Sequence, residues 1–210
     1  MDVRPISPSA LAEELADRIA DAPEDAWVRV ALDGAPAARP GELAGALVAP
    51  LRLRGREVLR VSAADFLRPA SLRFEYGRTD PDAFYDDWLD HGGLSREVLN
   101  PLEPGGSGKV LPTLWDTKID RATRASYVTM PRGGVLVVDG ALLLGRWLPF
   151  DVTVHLWLSP GALARRTAED QRWTLPAYAR YEEEAAPLDT ADVVVRVDDP
   201  RHPAIVTRPR

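Results

Sequence analysis

Apolar positions along this chain follow two spacings. Leu11, Leu15 and Ile19 recur every four residues behind Ser7-Pro8, a capping residue with a proline in the first turn, and predict an amphipathic helix. Elsewhere the apolar residues form short, nearly unbroken runs: WVRVAL at 27–32, EVLRVS at 57–62, VLVV at 135–138, VTVHLWL at 152–158 and VVVRV at 193–197. Runs rich in β-branched residues suit parallel strands buried on both faces. Helical spacing lies between several of them, at 42–54, 82–89, 161–171 and 176–185, and Pro50 is expected to kink or end the first of these. The alternation predicts a three-layer α/β fold with a mostly parallel sheet. The stretch 63–118 reads as short helical pieces among Pro/Gly-rich turns. One domain is expected over 1–200, with 201–210 as a flexible, Pro- and Arg-rich tail.

Composition narrows the chemistry. The 210 residues carry a formal charge of −6, which argues against nucleic acid or an anionic membrane as a standing partner. No cysteine is present, so disulfides, thiol catalysis and thiolate metal sites are excluded. Three scattered histidines, His91, His155 and His202, give little basis for a His-built metal centre. The acidic, amphipathic N-terminal stretch lacks the basic start and apolar run of a signal peptide, and the expected location is cytoplasmic.

Candidate chemistry begins at ALDGAPAARPGEL, residues 31–43. A strand, a tight turn at Asp33-Gly34 and a following helix form the layout of a phosphate-binding loop. The pattern G-x-x-x-x-G-K-[ST] fails at its last three positions, which are Arg39, Pro40 and Gly41. Pro36 and Pro40 also lack the N–H that would join a phosphate cradle. A second tempting stretch, Ser107-Gly108-Lys109, has Glu103 and Val110 at required positions and no strand leading in, so it reads as a loop.

Six pieces in order, RVALDGAPAARPGELAGAL, VSAADFLRP, YGRTDPDAFYDDW, VVDGALLL, ALARRTAEDQRW and ADVVVRVDDP, resemble the uridine kinase branch of the P-loop kinases, a group that includes phosphoribulokinase. The resemblance covers most of 27–200 and implies an ATP- and magnesium-dependent nucleoside kinase with a lid at about 161–186. It implies that Gly34, Ala35, Ala37, Ala38, Arg39 and Gly41 hold the cofactor. Phe66, Tyr76, Asp82, Phe84 and Trp115 would meet a uridine- or cytidine-type nucleoside, Asp139 would organise the metal, and Arg165 and Arg166 would close over the phosphates. A small-molecule nucleoside is the implied partner, and a homo-oligomer stays open.

The chain departs from that pattern at three places. The loop lacks its lysine and hydroxyl, and the only lysines, Lys109 and Lys118, are far away in sequence. Aligning Phe66 puts Ala64 where the family has its base, leaving neighbouring Asp65 as the candidate catalytic carboxylate. In the lid, Glu169 precedes Asp170 where the family has arginine. The resulting expectation is phosphotransfer that is weak or lost beside a retained nucleoside pocket. Two alternatives stand: an active kinase using Arg39 and Asp65, and a non-catalytic regulatory or interaction module. Asp82 fits either a helix cap or a sugar ligand, and His155, mid-strand, reads as a satisfied core residue rather than a base.

Overall fold

The computed structural model describes residues 2–207. Seven strands form one sheet: β1 (Asp2–Pro5), β2 (Val28–Asp33), β3 (Val58–Ser62), β4 (Val135–Gly140), β5 (Val152–Trp157), β6 (Val193–Arg196) and β7 (Ala204–Thr207). Their order is β1-β7-β6-β5-β2-β4-β3. The five strands from β6 to β3 run parallel, whereas β7 joins β6 and β1 antiparallel. The five apolar runs read from the sequence are these five parallel strands. Every residue of β2 is buried, as two-sided coverage requires.

Alternation along β2 divides the core. Val28, Val30 and Leu32 face the layer made by α1 (Pro8–Ala20) and α2 (Pro40–Leu53), where Leu15, Ile19, Leu47 and Leu51 are fully enclosed. Ala31 faces the opposite layer, with Phe66, Leu94, Leu99 and Leu143. That layer includes α3 (Pro81–Asp86) and the lid elements α4 (Pro160–Arg166) and α5 (Leu175–Glu184). Pro50 lies inside α2, which ends three residues later at Leu53. Proline near a C-terminus removes one amide bond but leaves the preceding turns intact.

One edge of the sheet differs from the sequence expectation. Residues 204–207, expected in the tail, form β7, and Asp2–Pro5 pairs with it through Asp2↔Thr207 to Pro5↔Ala204. Four exposed residues such as DVRP carry no apolar alternation, so β1 is held by its ladder and not by burial. Residues 208–210 lie outside the described part. Among the described residues no helix is long and apolar enough to cross a membrane.

The parallel strands end together, which gathers the loops after β2, β3, β4 and β5 at one rim. Close approach there depends on Gly140, where an added Cβ would stand 2.5 Å from the Ala63 Cβ. Gly140→Ala is therefore expected to lower stability by about 1–3 kcal/mol through overpacking between β4 and the turn after β3. Chemical denaturation compared with wild type checks this.

Candidate functional site

The loop after β2 is closed on itself. Pro36–Ala38 form a tight 3-10 turn, and Arg39 takes the left-handed conformation (φ 59, ψ 51) that turns the chain into α2. The Ala38 amide donates to the Ala35 carbonyl at 2.8 Å, Arg39 to Pro36 at 3.0 Å and Glu42 to Arg39 at 3.0 Å. The Gly34 amide donates to Gly140 at 2.9 Å. With proline at two further positions, few N–H groups are left to converge on an anion, which is what a phosphate cradle needs. Gly34 is closely packed: a Cβ there would meet the Leu156 carbonyl oxygen at 3.0 Å and the Leu156 Cβ at 3.1 Å. Arg39 points outward to Glu42 at 3.3 Å, its side chain 55% exposed.

Next to the loop, Asp139 at the end of β4 faces Arg60 of β3. The guanidinium lies 3.6 Å from the carboxylate and donates to the Gly41 carbonyl at 2.8 Å. Burial holds the Asp139 carboxyl above its ordinary range, opposed by Arg60 and Ser62. These residues do not fit a divalent cation. The carboxylate is already neutralised by an arginine, the hydroxyl position is glycine, and no group of three or more potential ligands is assembled among the described residues. The metal role expected for Asp139 is thus taken by an ion pair. Asp65 lies beyond this pair, its carboxyl raised by burial and by the charges of Asp139 and Asp116. The cleft wall carries Ala64 rather than Asp65.

The cleft itself encloses roughly 460 Å³ between the loop and α3, within the usual range for small-molecule sites. Gly34, Arg39, Gly41 and Asp139 border it on one side, and Phe84, Trp88 and His91 on the other. Its aromatic wall is a packed cluster in which Phe84 meets Trp88 at 5.2 Å, Trp173 at 5.6 Å and Tyr178 at 5.8 Å, all edge to face. Trp88 Nε1 and His91 Nε2 are buried without a hydrogen-bond partner. Burial, with help from Arg146 and Arg68, lowers the His91 pKa to about 4, so the ring is neutral near pH 7.

The other expected contacts are dispersed. Phe66 is fully enclosed in the core, and Ala38 is buried beneath the loop. Tyr76 is 69% exposed in a turn. Asp82 points to solvent and pairs with Arg180 at 3.3 Å, while Asp80 caps α3 through the Ala83 amide. Trp115 donates to Asp120 at 2.9 Å in a short ladder away from the cleft. Arg166 donates to the Val197 carbonyl at 2.7 Å and borders a gap between lid and loop that Ala35 and Ala37 also line. Arg165 is exposed on α4.

Arg60 and His91 were not marked as site residues by any sequence pattern, whereas Asp33 stood in the loop motif and Trp88 ended the YGRTDPDAFYDDW piece. Asp33 is wholly buried at the end of β2. It accepts from the Leu143 amide at 2.9 Å and the Tyr181 hydroxyl at 2.9 Å, and its Oδ2 lies 2.6 Å from His155 Nδ1. Burial disfavours the charged imidazole, but the hydrogen bond to Asp33 and the charges of Asp33 and Glu182 outweigh it and raise the His155 pKa to about 9. His155 is thus a partnered core residue, as its mid-strand position suggested.

No protein-family model matches the chain, and no curated protein matches it. Solved structures do. A protein from Bacillus stearothermophilus described as a possible uridine kinase superposes with a TM-score of 0.71 at 20% identity, covering 87% of this chain and 96% of that one. The fold is that of the P-loop kinases. A fructose transport system kinase from Silicibacter, so described, matches with a TM-score of 0.60 at 23% identity, covering 89% and 95%. The YGR205w protein matches with a TM-score of 0.59 at 11% identity, covering 97% and 100%. At these identities the likeness concerns the P-loop kinase fold alone.

The Asp33–His155 pair sets a pH dependence. Because the folded state holds the proton up to about pH 9 and the unfolded ring releases it near its ordinary value, the native state binds more protons between the two. The pair's stabilisation is complete below about pH 6.5 and is lost as pH rises through 9. Melting temperature should fall across that interval in wild type and fall less in His155→Gln, which thermal denaturation at a series of pH values measures.

Proposed function

We propose that this chain is a uridine kinase-like protein that takes a nucleoside-type small molecule in the aromatic cleft and transfers phosphate from ATP weakly or not at all. The observation that carries the reading is the closed loop beside an open cleft. The Ala38, Arg39 and Glu42 amides are bonded within the loop, the Gly34 amide is bonded to Gly140, and the lysine and hydroxyl positions are Pro40 and Gly41. The neighbouring cleft offers aromatic walls and two unpaired polar atoms, Trp88 Nε1 and His91 Nε2. Planar rings with polar edges match such a surface: the faces meet Phe84 and Trp88, and the edge satisfies the unpaired atoms.

The loss of phosphotransfer follows from magnitudes. The transition state for phosphoryl transfer is stabilised by positioning and positive charge. Removing one preorganised group costs about 3–4 kcal/mol, or 10²–10³ in rate. The Walker lysine, the metal-binding hydroxyl and a carboxylate at position 64 are absent together, Arg39 is paired with Glu42, and the cleft wall carries Ala64 rather than Asp65. ATP and a kinase reaction enter through the resemblance and through the printed descriptions of the structural neighbours.

Calorimetric titration with uridine and, separately, with Mg-ATP, together with a product assay, tests this reading. Uridine should bind saturably, His91→Leu should weaken it about tenfold through loss of one buried hydrogen bond, and Mg-ATP should give no saturable heat. Formation of nucleotide at the roughly 1–10³ per second of ordinary enzymes would overturn it.

A further inference from the structure

A second cavity, of roughly 400 Å³, lies under the lid between the end of β5 and helices α4 and α5. The nucleoside reading does not use it. Gly34, Leu142 and Tyr178 border both cavities and form the partition between them. Leu156, Leu158 and Leu163 make much of the remaining wall, whose charged side chains are His155 and Glu182; the Tyr181 hydroxyl there is already bonded to Asp33 and the Leu144 amide.

His155, 4% exposed, lines this cavity, and its Nε2 is buried without a hydrogen-bond partner. The nearest carboxylate oxygen, Glu182 Oε1, is 3.6 Å away, beyond hydrogen-bond distance. The ring has no freedom to turn, because its Nδ1 is fixed 2.6 Å from an Asp33 that already accepts from Leu143 and Tyr181. An unpaired buried polar atom costs about 1–3 kcal/mol, and such atoms are normally satisfied by water or a ligand.

Charge and lining restrict what the ligand is. Two carboxylates, Asp33 and Glu182, flank one imidazolium, so an anionic ligand meets net repulsion. A cationic one would lose its hydration to leucines. An uncharged ring with a carbonyl next to a ring N–H satisfies both polar atoms and buries its faces on the apolar wall. We propose that this cavity is a binding site for an uncharged planar heterocycle bearing such a lactam edge, its carbonyl accepting from His155 Nε2–H and its N–H donating to Glu182.

Hypoxanthine, 1-methylhypoxanthine (lactam N–H blocked) and purine (no carbonyl) are the probes, titrated calorimetrically into the full chain. Hypoxanthine should bind once per chain, and the two analogues at least tenfold more weakly. Two plugs that project into the cavity from different helices, Ala164→Trp on α4 and Ala179→Trp on α5, should abolish hypoxanthine binding. Glu182→Leu should weaken it about tenfold, and His91→Leu in the cleft should leave it unchanged. No saturable hypoxanthine binding by wild type, equal binding of the blocked analogue, or binding that survives both plugs would overturn the proposal. Uridine binding in the plugged variants reports on the cleft alone, so the two sites fail separately.

Discussion

A fully buried carboxylate holds the functional rim together. Asp33 ends the central strand β2 and accepts from the Leu143 amide after β4, touches His155 on β5, and accepts from Tyr181 on the lid helix α5. Four chain segments thus meet at one residue with no exposed surface. Desolvating a lone carboxylate is expensive, so its position is acceptable only while all these partners stay in place. The Tyr181 hydroxyl extends the network by accepting from the Leu144 amide at 2.9 Å. Burial, then the Asp33 charge, raises the tyrosine pKa, so its hydroxyl stays a donor to Asp33. The base of the lid is fastened to the sheet at the point where the loop begins.

From that anchor the loop's state follows. The Gly34 amide is bonded to Gly140, and the Ala38, Arg39 and Glu42 amides meet neighbouring carbonyls. Where a metal and phosphates would sit in a P-loop kinase, Asp139 faces Arg60. The rim therefore has its charges balanced internally, by Arg60 with Asp139 and by Arg39 with Glu42. Three side chains with an unpaired buried polar atom line the two cavities: Trp88 and His91 the cleft, His155 the cavity beneath the lid.

The parallel core was legible from β-branched runs because burial on both faces leaves no polar alternation to read. The helix at 8–20 was legible from Leu11, Leu15 and Ile19 with the Ser7 cap, whose side chain accepts from the Ala10 amide at 3.2 Å. The edge pair β1 and β7 was not, since it is specified by long-range ladder bonds between residues about 200 positions apart. At the site, Phe84 could be anticipated from its motif, but Phe66 was read as pocket-forming and is a core residue. Arg60 had no local pattern because its partner, Asp139, comes from a distant strand. Broken loop residues were visible at once; the internal bonding that closes the loop needed coordinates.

The proposed function rests on a loop that does not hold a phosphate within a P-loop kinase-like fold. The most direct measurement is amide NMR of residues 34–42 during titration with Mg-ATP to millimolar concentration. The account predicts no saturable shift of the Gly34, Ala38, Arg39 and Glu42 amides, because each already donates to a backbone carbonyl. Large, saturable shifts confined to those amides would show that the loop opens to a triphosphate and would contradict it.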